Sequence, residues 1–160
     1  MIRRVTLADA GSITAIYNDY ITHSEISFET EPLSVEAMQQ RIASIAQGYP
    51  YFVYEDADGI AGYCYAHAWK ERAAYCHTWE TTVYLAPGRE GQGIGRQLMQ
   101  HLIEACRSAG CHALIACITA DNERSCALHR RLGFVQVSAF HEVGYKHGKW
   151  LGVVDYELLL

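Results

Sequence analysis

Cys76-His77-Thr78-Trp79-Glu80-Thr81-Thr82-Val83-Tyr84-Leu85-Ala86-Pro87, followed shortly by Gly91-Gln92-Gly93-Ile94-Gly95-Arg96, is the stretch that decides how this 160-residue chain folds. Its first part is rich in Thr, Val, Tyr and Trp, which suit a pleated surface, so Cys76 to Leu85 is expected as a strand. Successive strand residues alternate, which puts Glu80, Thr82 and Tyr84 on one face. Pro87 ends the strand and the glycine-rich turn follows. From Gln97 to Ala109 the residues Leu98, Leu102, Ile103 and Cys106 recur at helical spacing, and Gly110 stops the helix. Ala113 to Ile118 is then a short, wholly apolar strand of the kind found in the middle of a sheet.

Upstream, Tyr51 to Glu55 and Ile60 to His67 are expected strands. Asp56-Ala57-Asp58-Gly59 joins them, and its Asp-Gly ending marks a tight turn between antiparallel partners. Ser34 is placed to cap a helix carrying Met38, Ile42 and Ile45, which Gly48 and Pro50 end. His23 to Pro32 is polar, aromatic and aperiodic, a loop of the kind that lines sites. Ile2 to Leu7 is expected as the first strand, with Asp9 capping a helix on which Ile13, Ile16, Tyr17 and Tyr20 recur. Downstream, a helix from about Glu123 to Leu132 stops at Gly133, and strands near Phe134 to Glu142 and Lys149 to Leu158 follow. The expected fold class is α/β (α+β): a mixed β-sheet flanked by helices, forming a single domain over residues 1–160. Early antiparallel strands precede a strand-helix-strand unit.

Composition supports one core. Half of the residues are hydrophobic and only 19% are charged, which excludes a disordered chain. Thirteen Lys and Arg against eighteen Asp and Glu leave a net charge of -5, with no basic run to neutralise nucleic-acid phosphates. No stretch reaches the roughly 20 apolar residues that cross a bilayer, and the first residues lack a signal-peptide core, so a cytoplasmic protein is expected. Six cysteines, Cys64, Cys76, Cys106, Cys111, Cys117 and Cys126, form no CxxC pair and lie mostly among apolar neighbours. They are expected as reduced, mainly buried thiols. The eight histidines form no HExxH or zinc-finger spacing, so no metal is expected.

The Gly91 to Arg96 turn lies where a strand feeds a helix, so unpaired backbone N–H groups and the positive end of a helix dipole converge on it. Glycine permits positive φ there and lets the backbone approach a phosphate closely, although a purely structural tight turn would also use three glycines. A P-loop needs Lys and then Ser or Thr after its last glycine, whereas Arg96-Gln97 follow Gly95. The dinucleotide fingerprint fails in spacing, and Ala116-Cys117-Ile118-Thr119 offers no acidic residue for a ribose. A pyrophosphate with a flexible arm along the preceding strand fits better, and coenzyme A is such a ligand.

Val83-Tyr84-Leu85-Ala86-Pro87, the turn Gly91 to Arg96, and Asn122-Glu123-Arg124-Ser125-Cys126-Ala127-Leu128-His129-Arg130-Arg131-Leu132-Gly133-Phe134 resemble the acetyl-CoA motifs of the GCN5-related N-acetyltransferases (GNAT). Ile26 to Pro32, Trp69 to Tyr84, Leu128-His129 and Gly144 to Trp150 narrow the resemblance to the phosphinothricin and methionine sulfone/sulfoximine acetyltransferases. The resemblance spans essentially the whole chain and implies acetyl-CoA as cosubstrate, Val83, Tyr84, Leu85, Gly91, Gln92, Gly93, Ile94, Gly95, Arg96, Asn122 and Ser125 as its binding residues, and a homodimer. Two departures stand out. Glu90 occupies a position where the family usually has Arg or Gln, which should weaken binding modestly because backbone amides hold the pyrophosphate. His129 stands where many relatives outside this subfamily carry a tyrosine that protonates the leaving thiolate.

Amide formation from a thioester needs an unprotonated amine, a donor for the developing oxyanion and a route for the thiolate. An α-amino group has a pKa near 8 (about 7.7–8.0), so a base must take its surplus proton. The resemblance makes Glu80 that base and His129 a second catalytic residue relaying the proton; otherwise these would be a solvated carboxylate and a helix histidine. A backbone N–H near Tyr84 or Leu85 is expected to meet the oxyanion. Asn122 and Ser125 would either hold the pantetheine arm or cap the following helix, roles that can coexist. Phe28, Glu29, Lys70, Arg72, Tyr75, Thr82 and Thr119 are the expected acceptor residues, with the planar fork of Arg72 suited to a carboxylate or phosphinate. The resemblance implies a small amino acid or glutamate analogue. Protein N-termini, polyamines and a non-catalytic acyl-CoA-binding module are the alternatives. Neither Cys117 nor Cys126 stands in a context that lowers a thiol pKa, so direct attack in a ternary complex is expected rather than an acyl-cysteine.

Overall fold

A computed structural model describes residues 1–160. Seven strands form one sheet: β1 (Ile2–Arg4), β2 (Tyr51–Asp56), β3 (Gly59–Ala68), β4 (Thr78–Leu85), β5 (Ala113–Thr119), β6 (Val135–Lys146) and β7 (Lys149–Leu159). Their order across the sheet is β1-β2-β3-β4-β5-β7-β6. Only β4 and β5 run parallel, as the crossover through helix α3 (Ile94–Ser108) requires; the other neighbours are antiparallel.

Alternation along the strands divides the core between the two faces. Phe52 and Cys64 point to the face covered by α3, where Leu98, Met99, Leu102 and Cys106 are fully buried. Val53 and Tyr63 point to the opposite face, covered by α1 (Ala10–His23) and α2 (Val35–Ala46) through Ile13, Ile21, Met38 and Ile42. Each such aliphatic side chain contributes heavily; truncating Leu98 to Ala would cost about 2–5 kcal/mol. The last helix, α4 (Glu123–Arg131), connects β5 to β6.

Several boundaries differ from the sequence reading, each for a local reason. The first strand stops at Arg4 because Thr6 and Asp9 form a reciprocal cap around a short 3-10 turn, Leu7–Asp9. Asp9 therefore does not cap α1 with its side chain. Its carboxylate accepts two hydrogen bonds from Arg3, both 2.8 Å, and one from the Thr6 N–H. The Arg3 guanidinium holds it below the ordinary aspartate range. Ser34 does cap α2, accepting from the Ala37 N–H at 3.1 Å. Helix α3 begins at Ile94, three residues before the first expected residue, because the left-handed Gly93 is its N-cap and Ile94 already packs inward. β4 starts at Thr78, since Ala73–Tyr75 turns as a 3-10 segment. β6 runs on to Lys146 through two register shifts and joins β7 by His147-Gly148, both at positive φ as a two-residue hairpin turn demands. All six cysteines are free, four of them buried.

Candidate active site

The parallel pairing of β4 with β5 covers only Thr78–Glu80 against Ala113–Ile115. Beyond it β4 continues to Leu85 and β5 to Thr119, but each follows a different neighbour. β3 pairs with β4 as far as Leu85, and β7 pairs with β5 as far as Thr119, so the sheet parts between them. The Ala86 N–H donates to the Ala61 carbonyl at 2.9 Å, which fixes the alternation: Thr82 and Tyr84 bond toward β3, and Val83 and Leu85 turn their backbone groups into the gap. The Leu85 carbonyl accepts from the Tyr20 hydroxyl at 3.0 Å, leaving its N–H as a donor toward the opening.

The gap has two arms. One is a cleft of about 690 Å³ between the end of β4, the glycine turn and α4. Gly91 (φ +78°) and Gly93 (φ +80°) line it, and a Cβ at Gly91 would meet nothing within 4 Å. Glycine is needed at these positions for backbone conformation rather than space. The first-turn N–H groups of α3 have no acceptors within the helix and open toward this arm. Arg96, Arg124 and Arg131 add positive charge, and Glu90 lies on the same wall. Arg124 and Arg131, two of the three arginines of α4, were not among the sequence-predicted residues; their signal was the run of cations on the helix capped by Asn122. Gln92 turns away, its amide donating to the Gly88 carbonyl at 3.2 Å, and the Ile94 side chain is in the core.

The second arm, about 520 Å³, lies over β4 and β5 beneath the 24–32 loop. It brings together Phe28, Glu29, Glu80, Thr82, Thr119 and His129. Burial pushes the Glu80 carboxyl above the ordinary glutamate range, opposed by His67 and reinforced by Asp155. His67 is its nearest basic neighbour, with Nε2 3.9 Å from Oε1. His129 is only 3% exposed, and its Nδ1 lies 2.8 Å from the Ser125 carbonyl oxygen. A carbonyl only accepts, so Nδ1 carries the proton and Nε2 a lone pair; burial pushes the ring's pKa down and keeps it neutral. Asn122 accepts from the Ser125 N–H at 3.2 Å, so it caps α4 as well as lining both arms.

Glu29 is held by two 2.8 Å hydrogen bonds from Arg41 and one from the Tyr17 hydroxyl, and Arg41 keeps it below the ordinary range. Arg41 is the only Lys or Arg on this arm. Sequence reasoning missed it, although its place on the Met38-Arg41-Ile45 stripe of α2 marks it as inward-facing. The loop itself is gripped from the far end of the chain. Lys146, buried, donates to the Ser27 carbonyl at 2.6 Å, Thr119 to the Glu25 carbonyl at 2.9 Å, and Lys149 to the Glu25 carboxylate at 3.0 Å. A Cβ at Gly144 would overlap the Phe28 ring.

Lys70, Arg72 and Tyr75 do not reach this arm within one chain. With Glu71 they line a separate surface hollow, and the Lys70 ammonium sits 4.1 Å above the Trp69 ring. Cys117 does line the second arm, but partial desolvation there together with the Asp155 and Glu80 charges pushes its thiol up to about 12. Burial also raises the Cys126 thiol. Both are protonated near neutral pH and poor nucleophiles. Nowhere do three or more His, Cys, Asp or Glu gather as a metal site would need.

Ile26, Val83, Tyr84, Asn122 and Ser125 line both arms, so two ligands entering from opposite ends would meet there.

A family model described as an acetyltransferase (GNAT) domain matches residues 2–153. The L-methionine sulfoximine/L-methionine sulfone acetyltransferase of Pseudomonas paraeruginosa is 37% identical, over 99% of this chain and 94% of that protein. Among solved structures, a GNAT superfamily phosphinothricin acetyltransferase from Sinorhizobium meliloti, in complex with acetyl-CoA, superposes with a TM-score of 0.97. It is 36% identical over 100% of this chain and 88% of that one. The ribosomal-protein-alanine N-acetyltransferase of Brucella melitensis superposes at 0.98, with 34% identity over 100% of this chain and 99% of that one.

Proposed function

The chain belongs to the GNAT acetyltransferase family and is an N-acetyltransferase, and from that premise we propose that it acetylates the α-amine of small amino acids or of glutamate analogues such as methionine sulfone, methionine sulfoximine and phosphinothricin. The observation that carries this reading is the junction of the two arms at Val83 and Tyr84, with Glu80 on the acceptor side of it. Acetyl-CoA supplies the activated acetyl group. The chain holds its pyrophosphate with the Gly91 to Gly95 backbone, the first turn of α3 and Arg96, and its arm along Val83 to Leu85, Asn122 and Ser125. Glu80 takes the surplus proton from the acceptor ammonium, and the amine then attacks directly. The Leu85 N–H is the donor placed for the oxyanion, since the Tyr84 N–H belongs to the β3 ladder. His129 assists from the other wall through Nε2.

Charge argues for amine capture. Arg41 and Glu29 neutralise one another, which leaves Glu80 as the unpaired anion facing an incoming ammonium. Lys70, Arg72 and Tyr75 would serve the acceptor's anionic group from a second copy of the chain. On this reading the protein is a homodimer: β6 is an edge strand, and Val135, Val137, Phe140, Val143 and Tyr145 on it are exposed, as is Trp150 on β7. Six free thiols fit the reducing cytoplasm. The likeness to an enzyme named for ribosomal-protein alanine keeps a peptide N-terminus as the second reading. Thiol release with acetyl-CoA, measured over a panel of amino acids, sulfone analogues, N-terminal peptides and polyamines, tests both. Higher kcat/KM for methionine sulfone or phosphinothricin is expected, and higher values for peptides or spermidine would overturn the assignment.

A further inference from the structure

Glu80 can act once as a base, and must then lose the proton it has gained before the next turnover. His129 cannot carry that proton out, because it is 3% exposed and walled in by Phe134, whose ring centroid lies 5.1 Å away. The other neighbour is differently placed. His67 stands directly opposite Glu80 in the β3–β4 register, so both side chains share one face. Its Nε2 lies 3.9 Å from Glu80 Oε1, a gap that a small rotation or one water closes, and its side chain is 34% exposed. Its Nδ1 is 2.9 Å from the Ala68 carbonyl oxygen. That carbonyl can only accept, so in the neutral ring Nδ1 is the protonated nitrogen and a bare Nε2 faces the carboxyl.

We propose that His67 is the outlet for the proton that Glu80 removes from the acceptor, a positioning residue that acts through Glu80 rather than on the substrate. The steps balance. The acceptor ammonium gives one proton to the Glu80 carboxylate, leaving a neutral amine and a carboxylic acid. The acid O–H gives that proton to Nε2 of His67, restoring the carboxylate and forming an imidazolium whose Nδ1–H stays on the Ala68 carbonyl. The imidazolium releases the Nε2 proton to water at the mouth of the arm. Nothing is oxidised or reduced.

The Glu80 side chain is itself 28% exposed, so direct loss of the proton to water is the one rival route, and wild-type turnover by His67→Gln would favour it. Tyr65 flanks His67 on β3 with ring centroids 5.8 Å apart, Cys117 faces Glu80 from β5, and Asp155 adds negative charge from β7. Arg41 from α2 is tied to Glu29, and no Lys or Arg lies within 4.0 Å of the Glu80 carboxylate.

The inference rests on Glu80 being the base, and the test separates the two claims. Wild type, Glu80→Gln, His67→Gln and the double variant are compared for kcat and kcat/KM from pH 6 to 9.5, with methionine sulfone and acetyl-CoA, with and without added imidazole. His67→Gln is expected to lower kcat about 10-fold at pH 7, less than loss of the base itself. Its KM for acetyl-CoA should stay unchanged. The acid limb of kcat/KM should move to higher pH, because the protonated form of His67, which favours the Glu80 carboxylate, is lost. Imidazole should restore turnover to His67→Gln and not to Glu80→Gln, and His67→Gln should add no further loss in the Glu80→Gln background. If Glu80→Gln is slow while His67→Gln keeps wild-type kcat and pH profile, or loses activity that imidazole does not restore, the outlet is refuted and the base stands. Near-wild-type turnover by folded Glu80→Gln refutes the base, and the outlet with it.

Discussion

The two arms of the cleft are made of different material. The arm below the glycine turn is built mainly from backbone, left-handed glycines, the open end of α3 and the gap-facing amides of β4, with the charges of Arg96, Arg124 and Arg131 added. The acceptor arm is built from side chains, Glu80, His129, Phe28 and the Glu29–Arg41–Tyr17 cluster, each set by packing from a different element. A backbone site depends on conformation and tolerates changes of side chain. A side-chain site changes its preference with a single residue. One chain can thus keep the binding mode of its family while its acceptor is chosen residue by residue.

The sharpest break of this contrast is expected at Glu80. Glu80→Gln preserves shape and removes the proton acceptor, and should lower kcat roughly 10²- to 10⁴-fold at neutral pH. The deficit should shrink toward pH 10, where solvent supplies free amine; a kcat series from pH 6 to 10 checks this. A merely structural ion pair would instead cost stability and leave the turnover of the folded enzyme alone. Next is Gly93→Val. A β-branched residue at φ +80° is strained by about 1–2 kcal/mol, so affinity for coenzyme A should fall about 10-fold by calorimetry. Unchanged affinity would mean that the turn is not the phosphate cradle.

On the acceptor side, Arg41→Gln frees Glu29 and should raise the acceptor KM about 10-fold, the size of a charged hydrogen bond, while KM for acetyl-CoA holds. An equal rise in both would erase the distinction between the arms. The smallest effect belongs to Gln92→Ala. Its side chain points to Gly88, so the dissociation constant for coenzyme A should change less than about twofold, as for ordinary surface substitutions.

The same difference in material explains what was legible in the sequence. The glycine turn, the apolar β5 and the alternation that sets Glu80 beside Thr82 are local patterns, and they appear in the structure where the sequence places them. Arg41 and His67 carry no motif. One lies on a helical stripe that points it inward but meets Glu29 only when α2 packs over the sheet, and the other becomes visible only when the β3–β4 register is known. Asp9 misled because a good capping residue also makes a good partner for Arg3, and the bidentate pair prevails. Lys70, Arg72 and Tyr75 were assigned by resemblance, and a single chain leaves them in their own hollow.

The grip of the β6–β7 hairpin on the 24–32 loop bears on the order in which the enzyme is made. Lys146 reaches Ser27 across 119 residues, and Thr119 reaches Glu25 across 94. A growing chain completes the glycine turn and the strand bearing Glu80 long before it reaches Gly144 and Lys146. The wall proposed to receive the amine is therefore among the last parts to be set during synthesis, and such long-range closure is slow. On the proposed function, competence to transfer arrives late and with the hairpin.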